Sequence, residues 1–504
     1  MQKKKVKNLI KATAFILVFV LIISSLMGIF SAKWYDKNSE TAIAEHFYEL
    51  DNDSLDVLLL GSSQIAWSVD TVRFYEKYGI AAYEIGGSHN SLLMNYYWLL
   101  EALKTQKNIK TVMVDVSLLF NNDADEDADY LKNLQNMKWG RNKYNAIKDY
   151  YNKIKTPENE ENTFKDVLIN YFFTLNQYHT RWTELDEVDF TDKRFDTNNV
   201  MGYTPNAFFN RSLYPFETFV IDNDIEDESA SFKPVQAEYL EKIIAECKAR
   251  GLQIVLIKTP KNSWSKTASE YTQKLADKEG IDFIECTTEK TYKEIGLDYW
   301  RDMRDGDHLN ARGGVKLADY LCEYLLKTGK YDDARKRNVI PKKELDIYHK
   351  RMKECYLNTT LTPEEYLEEL SKLNYTVVLQ SSGDISQLWN DKLQSLLEKN
   401  GFDIKIAEQQ KMNYLTAVKD GKIIRNISTK ERIEDSIRII PAEKYKFISD
   451  MSNTETKHDK EKAIKYSENG LRITAFDKDT AEPISMATIY ESEGALKIAI
   501  EHTT

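Results

Sequence analysis

The sequence predicts an α/β protein, in which a parallel sheet is sandwiched by helices, preceded by one membrane-spanning helix and followed by a smaller β-rich domain. Between Asp56 and Lys327, short runs rich in Val, Ile and Leu alternate with amphipathic stretches, as in parallel sheets covered on both faces. Residues 12–32 carry no charge. From about Thr362, runs of alternating polarity indicate antiparallel strands.

Composition limits the classes of function. The 504 residues are 30% charged and 42% hydrophobic, which excludes disorder, collagen and multi-span membrane proteins and allows two or three domains. The net charge is −11, and five Lys lie in the first eleven residues, so the remaining chain is still more acidic. An acidic body argues against a nucleic-acid partner. The four Cys show no CxxC spacing, so neither a zinc site nor a disulfide scaffold is supported. We expect no metal and no cofactor.

The uncharged segment 12–32 is long enough to cross a bilayer, because a spanning helix needs about 20 residues. The basic flank, residues 1–11, should stay cytoplasmic and everything after Lys33 should lie outside, by the positive-inside rule. A cleaved signal peptide is the alternative. Its apolar region is usually about 7–15 residues long and ends in small residues, whereas Phe30 lies where a small residue belongs. We favour a retained single-pass anchor in the cell membrane with an extracellular catalytic domain.

The elements of the α/β domain, residues 33–328, follow from these patterns. The predicted strands are 56–60, 81–85, 110–116, 252–258 and 282–285, and the predicted helices are 69–77, 91–104, 235–250, 268–278 and 313–326. Gly251 and Gly280 follow two of these helices, where a left-handed residue ends a helix. The aromatic stretch of about 118–234 is too long for a crossover, so we expect an inserted helical lid or a substrate-facing layer there.

The remaining chain divides in two. Residues 329–361 are polar and lead into one helical stretch near 345–355, which we expect to be a helical linker. Residues 362–504 begin with a helix at 363–372 and continue as predicted strands at 375–379, 414–418 and 471–476. Asp420-Gly421 offers a tight hairpin turn. A mainly antiparallel second domain is predicted.

Two short motifs are candidates for catalytic chemistry. The first strand ends in Gly61-Ser62-Ser63, and open α/β sheets bind ligands at the carboxyl ends of their strands. Asp305 lies three residues before His308, so its carboxylate can orient the imidazole and leave Nε2 free to accept a serine proton. Both motifs should meet above one edge of the sheet. A helix cap or a simple turn remains the alternative interpretation of Ser63.

Together these motifs resemble the SGNH (GDSL-like) hydrolase superfamily over residues 56–326. The resemblance implies a nucleophilic Ser63 and a triad completed by Asp305 and His308, with an oxyanion hole formed by the backbone amides of Ser63 and Gly86. Gly86 comes from Glu84-Ile85-Gly86-Gly87, which is similar to the second block of the family. The third block, Gly-x-Asn-Asp, is missing after the third strand, where Asn121 is the candidate substitute.

The anchor, the Gly-Ser-Ser block, the aromatic insertion and Lys258-Thr259-Pro260 are similar to membrane-tethered SGNH proteins that accompany MBOAT membrane acyltransferases in polysaccharide O-acylation. That resemblance implies a relay, in which an MBOAT partner exports an acyl group, expected to be acetyl, and Ser63 passes it to a polysaccharide hydroxyl. A stand-alone carbohydrate esterase is one alternative. A non-catalytic polysaccharide-binding scaffold is another, because the third block is missing.

The C-terminal domain carries a second resemblance. Residues 375–379, 414–418 with Gly421, and 469–477 are similar to the interleukin-like EMT-inducer (ILEI-like) domain, a compact β-rich module. In some glycosyltransferases this module is a carbohydrate-binding stem. The resemblance therefore implies a domain that holds the polymer near Ser63.

Overall fold

The computed structural model describes residues 2–30, 40–120, 130, 133–154, 163–173, 179–183, 185, 187–190, 199–207, 232–261, 264–408, 411–450, 453–458, 464–466 and 469–501. The first helix, Gln2–Phe30, contains an apolar segment, Val6–Phe30, that is long enough to cross a membrane. None of its most apolar window is buried by the rest of the described chain. An apolar surface of this size left uncovered is what a membrane-spanning helix requires.

The central sheet has five parallel strands. They are β1 (Val57–Leu60), β2 (Ala82–Ile85), β3 (Thr111–Asp115), β4 (Gln253–Lys258) and β5 (Asp282–Glu285), in the spatial order β2-β1-β3-β4-β5. All four residues of β1 are fully buried, as expected for a strand covered on both faces. The five predicted strands and the α/β fold class are confirmed.

Helices cover both faces of this sheet, and alternate strand residues point to opposite faces. Leu58 and Val112 lie in one core cluster, whereas Val57 and Met113 lie in another. The helices of this part of the chain are Glu40–Glu49, Ser63–Ser68, Thr71–Tyr78, Leu92–Thr105, Pro234–Ala249, Lys266–Glu279, Glu289–Ile295, Tyr299–Asp302 and Ala311–Thr328.

An additional short helix precedes one of the predicted helices. The sequence predicts a helix at 69–77, and the structure adds a separate helix, Ser63–Ser68, before it. The next helix, Thr71–Tyr78, begins only after Asp70, whose carboxylate accepts a hydrogen bond from the Arg73 amide at 2.9 Å and caps it. Gly251 and Gly280 both have positive φ, as predicted for residues that follow helices.

The described part of the long insertion between β3 and β4 is mainly helical, with one non-helical segment, 199–207, in which Val200 and Tyr203 form an antiparallel bridge. It contains the 3₁₀ turn Ser117–Phe120, the helices Arg141–Lys153 and Phe164–Phe172, and the 3₁₀ turns His179–Thr183 and Glu187–Phe190. The Tyr97 hydroxyl donates to Asp149 and joins Arg141–Lys153 to the helix Leu92–Thr105. Asn121 lies outside the described residues.

The C-terminal part is β-rich and antiparallel. Its helices are Pro363–Leu370 and Asp391–Lys399, and its strands are β6 (Thr376–Ser382), β7 (Asn413–Lys419), β8 (Lys422–Thr429), β9 (Ile433–Ile440), β10 (Glu443–Ser449), β11 (Thr454–His458), β12 (Ile464–Tyr466), β13 (Gly470–Phe476), β14 (Pro483–Ser492) and β15 (Ala495–Glu501). One sheet has the order β15-β14-β13-β6-β7-β8 and the other β12-β11-β10-β9. Asp420 and Gly421 both have positive φ, as the predicted tight hairpin requires.

The helix Lys342–Asn358 bonds to both parts of the protein. Its Tyr348 hydroxyl donates to the buried Asp70 carboxylate at 2.6 Å in the α/β part. At its other end, the Asn358 amide donates to the Ile484 carbonyl at 2.8 Å in β14. This segment is therefore an ordered connection rather than a loose tether.

Candidate active site

Ser63 lies at the carboxyl end of β1, in the tight turn Gly61-Ser62-Ser63, whose first position has no room for a side chain. A Cβ on Gly61 would overlap the Ile65 side chain and lie 2.8 Å from the Asp115 Cβ. The Ser62 hydroxyl accepts a hydrogen bond from the Gln64 amide at 3.3 Å and caps the helix that Ser63 begins. The turn therefore brings a partly exposed Ser63 hydroxyl to the edge of the sheet.

His308 and Asp305 reach the same point from the other end of the domain. His308 Nε2 lies 2.9 Å from Ser63 Oγ, and His308 Nδ1 lies 2.9 and 3.0 Å from the two oxygens of Asp305. Asp305 Oδ1 also accepts the backbone amides of Asp307 and His308, at 2.8 and 2.9 Å. The three side chains that the sequence singled out thus form one continuous hydrogen-bonded chain.

Asp305 is held in its ionised form. Burial alone would raise the pKa of Asp305, but the hydrogen bond and charge of His308, the Asp307 amide and the charge of Arg304 together bring it below its usual value. A carboxylate that stays charged fixes the Nδ1 proton toward itself and stabilises an imidazolium. The arrangement can therefore withdraw a proton from Ser63 through Nε2.

Two neighbouring side chains were not found from the sequence. The Arg304 guanidinium lies over the Trp67 ring, with Cζ 3.2 Å from the ring centroid, and its Nε is 3.8 Å from Asp305 Oδ2. The Trp67 ring also packs against the His308 ring, with centroids 5.1 Å apart. Trp67 lies four residues after Ser63, so in a helix both side chains lie on one face. This spacing is the feature of the sequence that could have placed Trp67 near Ser63.

Gly86 lies beside the Gly61-Ser62-Ser63 turn. A Cβ on Gly86 would be 2.8 Å from the Ser62 carbonyl oxygen and 3.0 Å from the Ala66 Cβ, so only glycine allows this approach. This places the backbone after β2 against the residues that flank Ser63. The roles of the Gly86 and Ser63 amides in an oxyanion hole remain predictions, and the same holds for Asn121, which lies outside the described residues.

A buried polar network lies beneath the Gly61-Ser62-Ser63 turn. It includes residues that follow β3, where the Gly-x-Asn-Asp motif is missing from the sequence. Gln64 Oε1 accepts from the Lys258 ammonium at 2.5 Å, from the Ser117 hydroxyl at 2.8 Å and from the Thr259 hydroxyl at 2.9 Å. These residues come from the ends of β1, β3 and β4. From the sequence, Lys258 and Thr259 were singled out only through a family resemblance. No role in the site was predicted for Gln64 or Ser117.

The network also contains charge. The Asp115 carboxylate accepts from the Ser117 hydroxyl at 2.7 Å and from the Ser62 hydroxyl at 3.3 Å. Burial lowers the pKa of Lys258 to about 8, against the opposing effect of the Asp115 charge. The end of β3 therefore supports the Ser62-Ser63 turn through Asp115 and Ser117, although the sequence has no Gly-x-Asn-Asp block there.

We also searched the described residues for a metal-binding cluster and for a cavity away from Ser63. Within the described parts of the chain, no group of three or more His, Cys, Asp or Glu side chains is arranged to hold a metal ion. A cavity of about 350 Å³ is lined by residues that precede β1, among them His46, and by Tyr83, Met201 and residues between Arg337 and Glu344. None of the residues that line it belongs to the Ser63 site.

Comparisons with known proteins add little. No protein family and no curated protein matches this chain. Among solved structures, a "putative acylhydrolase" from Bacteroides fragilis is similar at 9% identity, with a TM-score of 0.27. That match covers 56% of this chain and 94% of the other. Similarity at this level does not define an activity, so the chemistry must be argued from the geometry of the site.

Proposed function

We propose that this protein is an extracytoplasmic serine-dependent O-acyltransferase that acetylates a cell-surface polysaccharide together with an MBOAT membrane acyltransferase. The observation that carries the proposal is the hydrogen-bonded chain from Ser63 through His308 to Asp305. A serine whose hydroxyl contacts an imidazole, itself oriented by a carboxylate, is the arrangement that activates serine for acyl transfer.

The chemistry proceeds in two steps. Ser63 Oγ attacks the carbonyl carbon of the acyl donor while His308 Nε2 takes the hydroxyl proton, and that proton then goes to the leaving group as the donor bond breaks. This leaves an ester on Ser63. A polysaccharide hydroxyl next attacks that ester, His308 removes its proton, and the returning proton restores the Ser63 hydroxyl. The backbone amides of Ser63 and Gly86 would stabilise the oxyanion in both steps.

The acceptor decides between transferase and esterase, because water and a sugar hydroxyl attack the same acyl-serine. Two features favour transfer at a cell surface. The first helix is long and apolar enough to anchor the chain in a membrane, which keeps Ser63 close to an acyl donor that a membrane partner delivers. The C-terminal β-rich part, with its similarity to the ILEI-like domain, would hold the polymer, so that hydroxyl groups outcompete water.

The test uses the full-length protein in detergent micelles with p-nitrophenyl acetate. Intact mass is measured for wild type, for Ser63→Ala and for Ser371→Ala. Ser371 is a matched control because its hydroxyl donates to the Glu368 carbonyl in the C-terminal part, away from the Ser63 site. We expect an acetyl adduct on wild type and on Ser371→Ala and none on Ser63→Ala. An adduct that persists on Ser63→Ala would contradict the assignment of the nucleophile.

The second arm adds an oligosaccharide acceptor. Faster loss of the adduct with acetyl appearing on the sugar supports transfer, whereas loss to water at an unchanged rate would identify an esterase. In the host, Ser63→Ala should abolish acetylation of the polymer. Full acetylation in that strain would refute the proposed function.

A further inference from the structure

Two exposed aromatic side chains lie in the insertion, beside the outer end of the first helix. The Trp182 side chain is 69% exposed and that of Phe190 is 64% exposed, more than any other aromatic residue described outside the first helix. They belong to the 3₁₀ turns His179–Thr183 and Glu187–Phe190, and both turns contact the helix Gln2–Phe30. Such exposed apolar surface indicates a partner that covers it.

The contact with the first helix is specific. Arg181 Nη1 donates to the Phe30 carbonyl at 3.1 Å, and Arg181 Nη2 pairs with Asp189 at 3.0 Å. The Asp189 side chain is completely buried. A guanidinium at the carboxyl end of a helix satisfies a free carbonyl and complements the helix dipole. Because Arg181 bonds to both the helix and Asp189, the two 3₁₀ turns are fixed against the last turn of the span.

The depth of Phe30 in a membrane follows from helix geometry. Lys11 is the last charged residue before the uncharged segment and belongs at the inner boundary of the hydrocarbon. A helix rises about 1.5 Å per residue, so the roughly 30 Å of hydrocarbon uses about 20 residues and ends close to Phe30. Trp182 is adjacent to the residue that bonds to Phe30, which puts it at the outer lipid–water boundary.

We propose that Trp182 and Phe190 form an interfacial anchor that inserts into the headgroup region of the outer leaflet. Trp concentrates at this depth because its ring buries apolar surface while the indole nitrogen stays hydrated. A Phe ring has no polar atom, and it adds apolar surface that enters the same boundary region beside a Trp. The occupant of this surface is thus lipid, since the Arg181 contact holds both rings at membrane level. The anchor attaches the insertion to the membrane, and it does not depend on the chemistry at Ser63.

The four native cysteines are all buried, which allows a probe to be attached at one introduced cysteine. Trp182→Cys and Phe190→Cys are made in the full-length protein, labelled with an environment-sensitive fluorophore and reconstituted into phosphatidylcholine–phosphatidylglycerol vesicles. Trp389→Cys is the matched control, because Trp389 is also exposed, at 52%, but lies in the C-terminal part. Unsubstituted protein carried through the same labelling gives the background.

We expect the emission of the probes in Trp182→Cys and Phe190→Cys to shift to shorter wavelength and to be quenched when doxyl groups are placed near the lipid headgroups. Aqueous iodide should quench only the Trp389→Cys probe. Iodide quenching of both insertion probes would overturn the proposal, because it would place them in water. Protection from iodide and from doxyl lipid alike would also overturn it, because protein would then cover the surface.

Discussion

Removing the acceptor at Gln64 tests whether the buried network holds the Ser62-Ser63 turn in place. Gln64→Ala deletes the oxygen that receives the Lys258 ammonium, the Ser117 hydroxyl and the Thr259 hydroxyl. Gln64→Glu is the matched variant, because it keeps an acceptor oxygen at the same position. Both substitutions leave Ser63, His308 and Asp305 unchanged.

The expected loss can be worked from the contacts. In Gln64→Ala, Ser117 retains Asp115 as an acceptor and Lys258 retains the Thr259 carbonyl at 3.3 Å, but the Thr259 hydroxyl loses the acceptor it has here. An unsatisfied buried hydroxyl and a weakened buried ammonium together cost about 3–5 kcal/mol. Gln64→Glu should lower the free energy of unfolding by only about 1 kcal/mol, because the Lys258, Ser117 and Thr259 donors all keep an acceptor.

The assay is urea unfolding of the full-length protein in micelles, followed by tryptophan fluorescence, combined with the rate of acetyl adduct formation on Ser63. For Gln64→Ala we expect the midpoint of the α/β transition to fall by roughly 1–2 M urea, and the adduct to form more slowly. Gln64→Glu should restore most of both. A wild-type midpoint for Gln64→Ala would refute the reasoning, and so would a Gln64→Glu variant as unstable as Gln64→Ala.

Three further predictions concern pH, packing and charge. Burial raises the pKa of Asp70 to about 6 from 3.8. Between these two pH values the folded state therefore binds more protons than the unfolded state. The free energy of unfolding should then fall by about 3 kcal/mol as the pH rises from 3.8 to 6. Asp70→Asn should reduce the fall in the free energy of unfolding between pH 4 and pH 7, measured by urea unfolding, and a fall equal to that of wild type would contradict the prediction. Gly86→Ala should lower the free energy of unfolding by about 1–3 kcal/mol and slow formation of the acetyl adduct, because the new Cβ would lie 2.8 Å from the Ser62 carbonyl oxygen. Gly140→Ala is the control, because the nearest atom to its new Cβ among the described residues is 4.0 Å away. Equal urea midpoints for the two variants would argue against the clash. Asp305→Asn should slow ester turnover by about 10³–10⁴-fold, and a wild-type rate would show that its charge is not used.

The sheet and the convergence of the three site residues were predictable from the sequence because both follow from strand geometry. Runs such as Val57–Leu60 are apolar at every position, which indicates a strand buried on both faces. Carboxyl ends of parallel strands share one edge, so a serine after β1 and a histidine before the last helix of the domain could be expected to meet there.

The supporting contacts could not be predicted, because they join residues far apart in the chain that form no motif. Gln64, Ser117 and Lys258 form no recognisable pattern in the sequence and meet only when three strands are paired. Several C-terminal strands were missed for another reason. In β11, only Thr454 and Thr456 are buried, so the strand Thr454–His458 has no apolar pattern to recognise.

The distance between Ser63 and His308 is fixed by bonds between the segments that carry them. The Leu309 amide donates to the Ser68 hydroxyl at 3.2 Å, so the end of the Ser63 helix holds the residue that follows His308. The Asn206 amide lies 3.4 Å from both the Trp67 and Leu309 carbonyls and joins the same two segments. Because these bonds lie within one chain, the contacts of this chain itself bring Ser63 and His308 together. In the proposed relay, a membrane partner would therefore supply the acyl group rather than complete the site, and the isolated chain should form the Ser63 adduct by itself.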